Sequence, residues 1–158
     1  MNSAFALLLA FGIGAVAGLR SMTAPAVVAW AAYLGWIHLF GSPLSFMGSA
    51  WAVGIFTLGA LGEFVADKLP RTPARTSAFP LAARIVTGSI TGACLGTAGG
   101  ASLWLAVLTG AIGAIAGAFG GYQARVGLVR VLHCPDFAIA MPEDLIAIGL
   151  GLLLVSRF

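Results

Sequence analysis

Residues 87–122, TGSITGACLGTAGGASLWLAVLTGAIGAIAGAFGGY, decide the fold class of this chain, because the run contains no Asp, Glu, Lys or Arg. Glycine recurs at every fourth position in two series within it: Gly88, Gly92, Gly96 and Gly100, then Gly113, Gly117 and Gly121. Small residues at this spacing give a helix a flat face that a second helix backbone can approach closely, as in membrane helix pairs. The Gly99-Gly100 pair interrupts the run and predicts two apolar helices that pack through glycine.

The composition extends this interpretation to the whole chain. Of 158 residues, 60% are hydrophobic and 8% are charged, with a mean hydropathy of +1.04, whereas soluble domains carry about 25% charged residues. A soluble globule and a disordered segment therefore fit poorly. The net charge of +3 comes from only 8 basic and 5 acidic residues, too few to follow a phosphate backbone, so we expect no nucleic-acid partner. Cys94 and Cys134 predict neither a disulfide framework nor a metal site, and we expect no cofactor.

Six segments are candidates for membrane spans, because a crossing needs about 20 mostly apolar residues. They are residues 4–19, 23–40, 46–66, 79–98, 102–122 and 137–156. The turns between them are short, so we predict that residues 1–158 form a single integral-membrane domain. Its predicted fold is an all-α bundle of about six transmembrane helices, some of them short or broken. Whether the first two segments cross separately or form a re-entrant pair stays open.

The sixth segment and two local similarities bear on the details of this bundle. A helix from Pro142 to Ser156 would be only about 22 Å long, so the segment either starts earlier, near Asp136, and contains Pro142, or begins at a cavity. Residues 59–64 resemble residues 117–122, and residues 20–23 resemble residues 84–87. These similarities suggest an internal repeat, although their register does not match a simple inversion of two three-helix halves.

The basic residues predict the orientation of the bundle. With six spans, nearly all of them fall on one side: Arg20, Lys68, Arg71, Arg75, Arg84, Arg125 and Arg130. Only Arg157 falls on the other side. Cytoplasmic loops are enriched in Lys and Arg, so we predict a multi-pass protein of the cytoplasmic (inner) membrane with both termini outside.

The ionisable residues form the candidate site, because charges in or near a bilayer are costly and need a partner or a purpose. Under the six-span topology they converge near the cytoplasmic leaflet. The candidate substrate- or ion-binding residues are Arg20, Ser21, Thr23, Glu63, Asp67, Lys68, Arg84, Arg125, Glu143 and Asp144. Pairing of these charges with one another for structural reasons is the alternative.

The segment that follows Arg20 indicates what such a site would bind. Thr23 can cap the second helix, and Pro25 suits its first turn. Arg20 would then lie beside a helix N-terminus, an arrangement that suits a phosphate or a carboxylate. Glu63 and Asp67 are four residues apart and hence share one helix face.

Several strings together resemble a bacterial integral-membrane family, domain of unknown function 4126. They are GLRSMTAP at 18–25, GE at 62–63, ADKLP at 66–70, TPART at 72–76, PL at 80–81, GY at 121–122, PD at 135–136 and ED at 143–144, with Arg84 and Arg125. The resemblance spans nearly the whole chain. It implies a small all-helical protein of the cytoplasmic membrane, and it assigns no catalytic residue.

Three functions are compatible with these features. The first is a transporter or channel-like protein, in which Arg20 with Arg84 or Arg125 would hold an anionic small molecule or lipid head group. The acidic residues of the candidate site would then neutralise these bases or carry a proton. In the second, an intramembrane enzyme would act on a lipid phosphate, but the sequence lacks a recognisable catalytic motif and we favour a protein that is not an enzyme. In the third, an assembly subunit would use the glycine faces for partners. Membrane lipids are expected partners, and a homodimer is a further hypothesis.

Overall fold

The computed structural model describes residues 1–66, 76–132 and 136–158, without the side chains of residues 136–140. Within these ranges the chain is all-α, as predicted, with six α-helices. They are α1 (Ser3–Leu19), α2 (Thr23–Tyr33), α3 (Ala50–Ala66), α4 (Ala78–Ala98), α5 (Leu103–Leu132) and α6 (Asp136–Val155). A short 3-10 helix, Ser45–Gly48, precedes α3. By length and composition α4 and α5 could each cross a membrane, and α1 and α3 are shorter apolar helices.

Helices α1, α4 and α5 form a central trio whose backbones are in contact. A Cβ atom on Gly92 of α4 would lie 2.6 Å from the Cα of Gly110, and one on Gly88 would lie 2.7 Å from the Cβ of Ala114. On α1, a Cβ at Gly18 would lie 2.6 Å from the backbone nitrogen of Ala118. These distances are too short for any side chain, so the glycines allow the close approach that their spacing predicts.

The last glycine of the first series has a different role. Gly100 has a φ of +80° and a Cβ there would meet nothing within 4 Å. It follows the end of α4, where its left-handed backbone turns the chain toward α5. Gly100 therefore belongs to the turn and not to the packing face.

The second predicted span, residues 23–40, is wrong at its C-terminal end. Helix α2 stops at Tyr33 and is only about 16 Å long, and Gly35 then takes a φ of +79°, which redirects the chain. The irregular segment that follows buries Ile37, Leu39 and Met47 against the protein.

The fifth and sixth helices also differ from the predicted spans. Helix α5 continues ten residues past the predicted end at Tyr122 and, with 30 residues, is about 45 Å long. Helix α6 begins at Asp136 and contains Pro142, which decides between the two alternatives for this segment in favour of the early start. The suggested repeat of residues 20–23 in residues 84–87 has no structural counterpart. Residues 20–22 lie between α1 and α2 and residue 23 begins α2, whereas residues 84–87 lie inside α4.

Candidate functional site

The start of α2 is capped by a carboxylate from another helix. The amide of Ser21 donates to Oε1 of Glu63 over 2.9 Å, the Ser21 hydroxyl donates to the same oxygen over 2.9 Å, and the amide of Met22 donates to Oε2 over 2.9 Å. Amides at a helix N-terminus have no partner within the helix and carry the positive end of its dipole. The Glu63 carboxylate therefore occupies an anion-binding position built by the chain itself.

Thr23 does not cap this helix, contrary to the prediction. Its side chain is buried and its hydroxyl makes no hydrogen bond within the described part of the chain, and the residue at the cap position, Met22, provides no side-chain cap. Local capping rules place an oxygen from the first residues of the helix on the free amides. With Thr23 as the cap these amides would belong to Pro25, which has no N–H, and to Ala26, which donates to the Met22 carbonyl instead.

Arg84 connects the same carboxylate to two other helices. Its Nη2 lies 3.6 Å from Oε1 of Glu63. Its Nε donates to the carbonyl of Gly18 over 3.1 Å, and its Nη1 donates to the carbonyl of Pro80 over 3.3 Å. The guanidinium thus holds the end of α1, the end of α3 and the first turn of α4 together.

A second ion pair joins the end of α1 to α6. Nη2 of Arg20 is in contact with Oδ1 of Asp144, and the two side chains are only 4% and 3% exposed. The guanidinium of Arg20 also lies over the ring of Phe64, 4.7 Å from its centroid, which is cation–π geometry. Phe64 follows Glu63 on α3, so this helix contacts both arginines.

A third ion pair joins α5 to Glu143, the residue of α6 that precedes Asp144. Nη1 of Arg125, on α5, is 3.5 Å from Oε2 of Glu143, and the side chains are 16% and 13% exposed. Glu143 and Asp144 therefore connect α6 to α5 and to α1, respectively. This pair is longer and more exposed than the Arg20–Asp144 pair.

We call the three pairs and the hydroxyl of Ser21 together the ion-pair layer. It contains Arg20, Ser21, Glu63, Arg84, Arg125, Glu143 and Asp144. Seven of the ten candidate residues take part in these contacts, Thr23 does not, and Asp67 and Lys68 lie outside the described residues. Three arginines and three carboxylates balance in charge, so the layer can remain inside an apolar bundle.

Sequence reasoning missed three contributors to this layer. Phe64 and the Met22 amide carry no local signal, and the Gly18 carbonyl becomes an acceptor only because α1 ends beside α4. Within the described residues, no group of three or more His, Cys, Asp or Glu side chains could hold a metal ion.

Comparison with known proteins identifies a family without assigning a function. Residues 7–156 match the family described as Domain of unknown function (DUF4126). Neither a curated protein nor a solved structure matches the chain.

Proposed function

This chain belongs to the family described as Domain of unknown function (DUF4126), and from its geometry we propose that it is a small multi-pass protein of the inner membrane, a transporter or channel-like protein for an anionic small molecule. The ion-pair layer lies near the cytoplasmic leaflet and forms the binding site. Both termini lie outside.

The surface of the bundle supports the membrane location. Trp51 of α3 is 82% exposed and Trp104 of α5 is 74% exposed, and large apolar side chains continue along the outer face of α3 at Ile55 and Leu58. Contiguous apolar surface of this kind is rare on soluble monomers. It is the expected surface for helices that face lipid.

The observation that carries the proposal is the position of the Glu63 carboxylate. Two backbone amides, one hydroxyl and the Arg84 guanidinium surround it. Proteins use the same donors, a helix N-terminus and an arginine, to bind the carboxylates and phosphates of ligands. Glu63 thus stands where the carboxylate or phosphate of a transported molecule would bind.

Exchange between Glu63 and the substrate gives a mechanism. When Glu63 leaves the start of α2, the amides of Ser21 and Met22 and the Arg84 guanidinium are without their anion, and an entering substrate anion replaces it. Removing one partner of a buried ion pair costs about 3–5 kcal/mol. A substitution of one anion by another avoids this cost, and the return of Glu63 releases the substrate.

The test is anion uptake into proteoliposomes that contain the purified protein. Radiolabelled acetate, succinate and inorganic phosphate represent small carboxylates and phosphates. We expect uptake of at least one of them to fall to the level of empty liposomes in Glu63→Gln, because a neutral amide cannot alternate with an anion at this position. Arg130→Gln is the matched control, since it also removes one charge, from an exposed position in the last turn of α5, and its uptake should equal that of the unaltered protein.

Two results would overturn the proposal. One is equal uptake by Glu63→Gln and the unaltered protein. The other is an absence of uptake of all three anions above empty liposomes when the protein is folded by circular dichroism.

A non-catalytic assembly subunit is a second candidate function, and one observation favours it. The carboxylates and guanidiniums of the layer contact each other, as they would if their role were to fix the helices. In that case Glu63→Gln would lower the thermal stability of the protein or abolish capture of a partner protein, and no anion would be transported.

A further inference from the structure

A crevice lies outside the Glu63 site, between the second half of α5 and the first half of α6. Its volume is about 220 Å³. Ala124 and Leu128 of α5, Ile146 of α6 and Leu19 at the end of α1 line it, and the surface that they present is apolar. Pro142 also contributes to the wall. An apolar crevice that opens on the outside of a membrane bundle is suited to a hydrocarbon chain.

An ion pair adjoins this apolar surface. Arg125 and Glu143 are among the residues that border the crevice, and they form the most exposed of the three ion pairs described above. The pair presents one positive and one negative group, 3.5 Å apart, so its net charge is zero. A head group that carries both a phosphate and an ammonium can contact both members of the pair.

The distance of Arg125 from the start of α5 would place the Arg125–Glu143 pair at the depth of the lipid head groups. Arg125 lies 22 residues after Leu103, the first residue of α5, which is about 33 Å along the helix axis. The hydrocarbon core of a bilayer is about 30 Å thick. With the start of α5 and Trp104 at one interface, where tryptophan is enriched, Arg125 reaches the opposite interface. The crevice spans this level, with Ala124 on the membrane side of Arg125 and Leu128 beyond it.

We propose that this crevice binds one acyl chain of a zwitterionic phospholipid, whose phosphate contacts Arg125 and whose primary ammonium contacts Glu143. A phosphate accepts hydrogen bonds from a guanidinium, and an ammonium donates to a carboxylate. A phospholipid whose head group is only anionic could contact Arg125 but would offer no ammonium to the Glu143 carboxylate. The occupant is therefore a lipid with both charges, such as phosphatidylethanolamine. This site shares the Arg125–Glu143 pair with the ion-pair layer but does not include Glu63, and lipid binding there does not require the proposed transport.

Native mass spectrometry tests the proposal directly. The protein is reconstituted in nanodiscs with equal amounts of phosphatidylethanolamine and phosphatidylglycerol, transferred to detergent, and the lipids that remain bound are counted. We expect one phosphatidylethanolamine on the unaltered protein. Ala124→Trp, which fills the crevice, should lower its occupancy at least tenfold, whereas Ala116→Trp, on an exposed part of the same helix, should leave it unchanged.

Charge variants distinguish the two ends of the head group. Arg125→Ala should abolish retention, and Arg130→Ala, in the last turn of the same helix, should not affect it. Glu143→Gln should shift retention from phosphatidylethanolamine toward phosphatidylglycerol, because the ammonium loses its partner. Circular dichroism confirms that each variant is folded.

Three results would overturn the proposal. They are a preference of the unaltered protein for phosphatidylglycerol, equal retention by Ala124→Trp and Ala116→Trp, and a lack of any retained lipid. Because Glu63 is unaltered in all of these variants, each result leaves the anion-uptake test of the proposed function intact.

Discussion

Substitution of Gly117 by alanine isolates the contribution of close backbone packing to the stability of this bundle. A Cβ at Gly117 would lie 2.8 Å from the carbonyl carbon and 2.9 Å from the Cα of Ala15 on α1, and closer still to the Ala15 carbonyl oxygen. Since these atoms are backbone, they cannot rotate away as a flexible side chain would. The two helices must separate to admit the methyl group.

Gly120→Ala is the matched control on the same helix. A Cβ at Gly120 meets nothing within 4 Å, so this substitution changes only the intrinsic preference of the residue for a helix, a gain of about 1 kcal/mol. Gly117→Ala receives the same gain, and the comparison cancels it. The difference in the free energy of unfolding between the two variants is then the cost of overpacking, typically about 1–3 kcal/mol.

Reversible unfolding in mixed micelles with increasing dodecyl sulfate, followed by far-ultraviolet circular dichroism, measures this difference. We expect Gly117→Ala to unfold with a free energy about 1–3 kcal/mol below that of Gly120→Ala. Equal free energies of unfolding would refute the reasoning, since they would show that α1 and α5 do not approach as closely as their glycines allow.

Two further predictions concern the ion-pair layer and the topology. Asp144→Asn should lower the free energy of unfolding by about 3 kcal/mol or more, because it removes the buried carboxylate that Arg20 contacts. Arg20→Met in the same chain should restore part of the loss. If Asp144→Asn is as stable as the unaltered protein in the micelle assay, the buried pair is contradicted. Single cysteines at Asn2 and Phe158, in a chain without other cysteines, should both react in intact cells with a maleimide that does not cross membranes. The proposed six crossings put both termini on one side, and the basic residues predict that this is the outer side. Labelling of only one of them would exclude the proposed topology.

The bounds of two helices can be predicted from the sequence, because their apolar runs end at a charged residue or at a pair of glycines. The predicted spans at residues 4–19 and 79–98 correspond to α1 and α4. Each predicted start is one residue later than the observed start, and each predicted end is the observed end. Arg20 and the Gly99-Gly100 pair mark those ends. In both cases a charged residue or a glycine pair stops the helix and the apolar run at the same position.

The errors arise where the end of an apolar run and the end of a helix differ. Residues 34–40 are mostly apolar, so the run continues although the chain turns at Gly35, whose φ of +79° is a property of the fold. In α5 the opposite occurs: the apolar run ends near Tyr122, but the helix continues to Leu132. Hydropathy reports which residues suit lipid, and a helix can extend beyond the hydrocarbon core.

In the candidate site, too, the sequence predicts one feature, the convergence of the charges, but not another, the partner of each charge. The number of spans alone predicts that the charges converge on one side, because it determines which helix ends lie on the same side of the membrane. The partners within the layer depend on how each helix is rotated, and the sequence does not encode that rotation locally. Glu63 reaches the Ser21 amide across 42 positions of sequence, so a rule that considers only the first turn of α2 assigns the cap to Thr23.

The packing of the helices indicates which part of the bundle can move during the proposed exchange. Gly18 both packs its backbone against α5 and accepts a hydrogen bond from Arg84, so Arg84 is bonded directly to the central trio. Helix α3 packs mainly against α2 and buries only Ala52 and Val53 among its described residues, and it carries Glu63. A motion of α3 can therefore withdraw the carboxylate while Arg84 and the start of α2 stay in place, and this is the motion that exchange of Glu63 for a substrate anion requires.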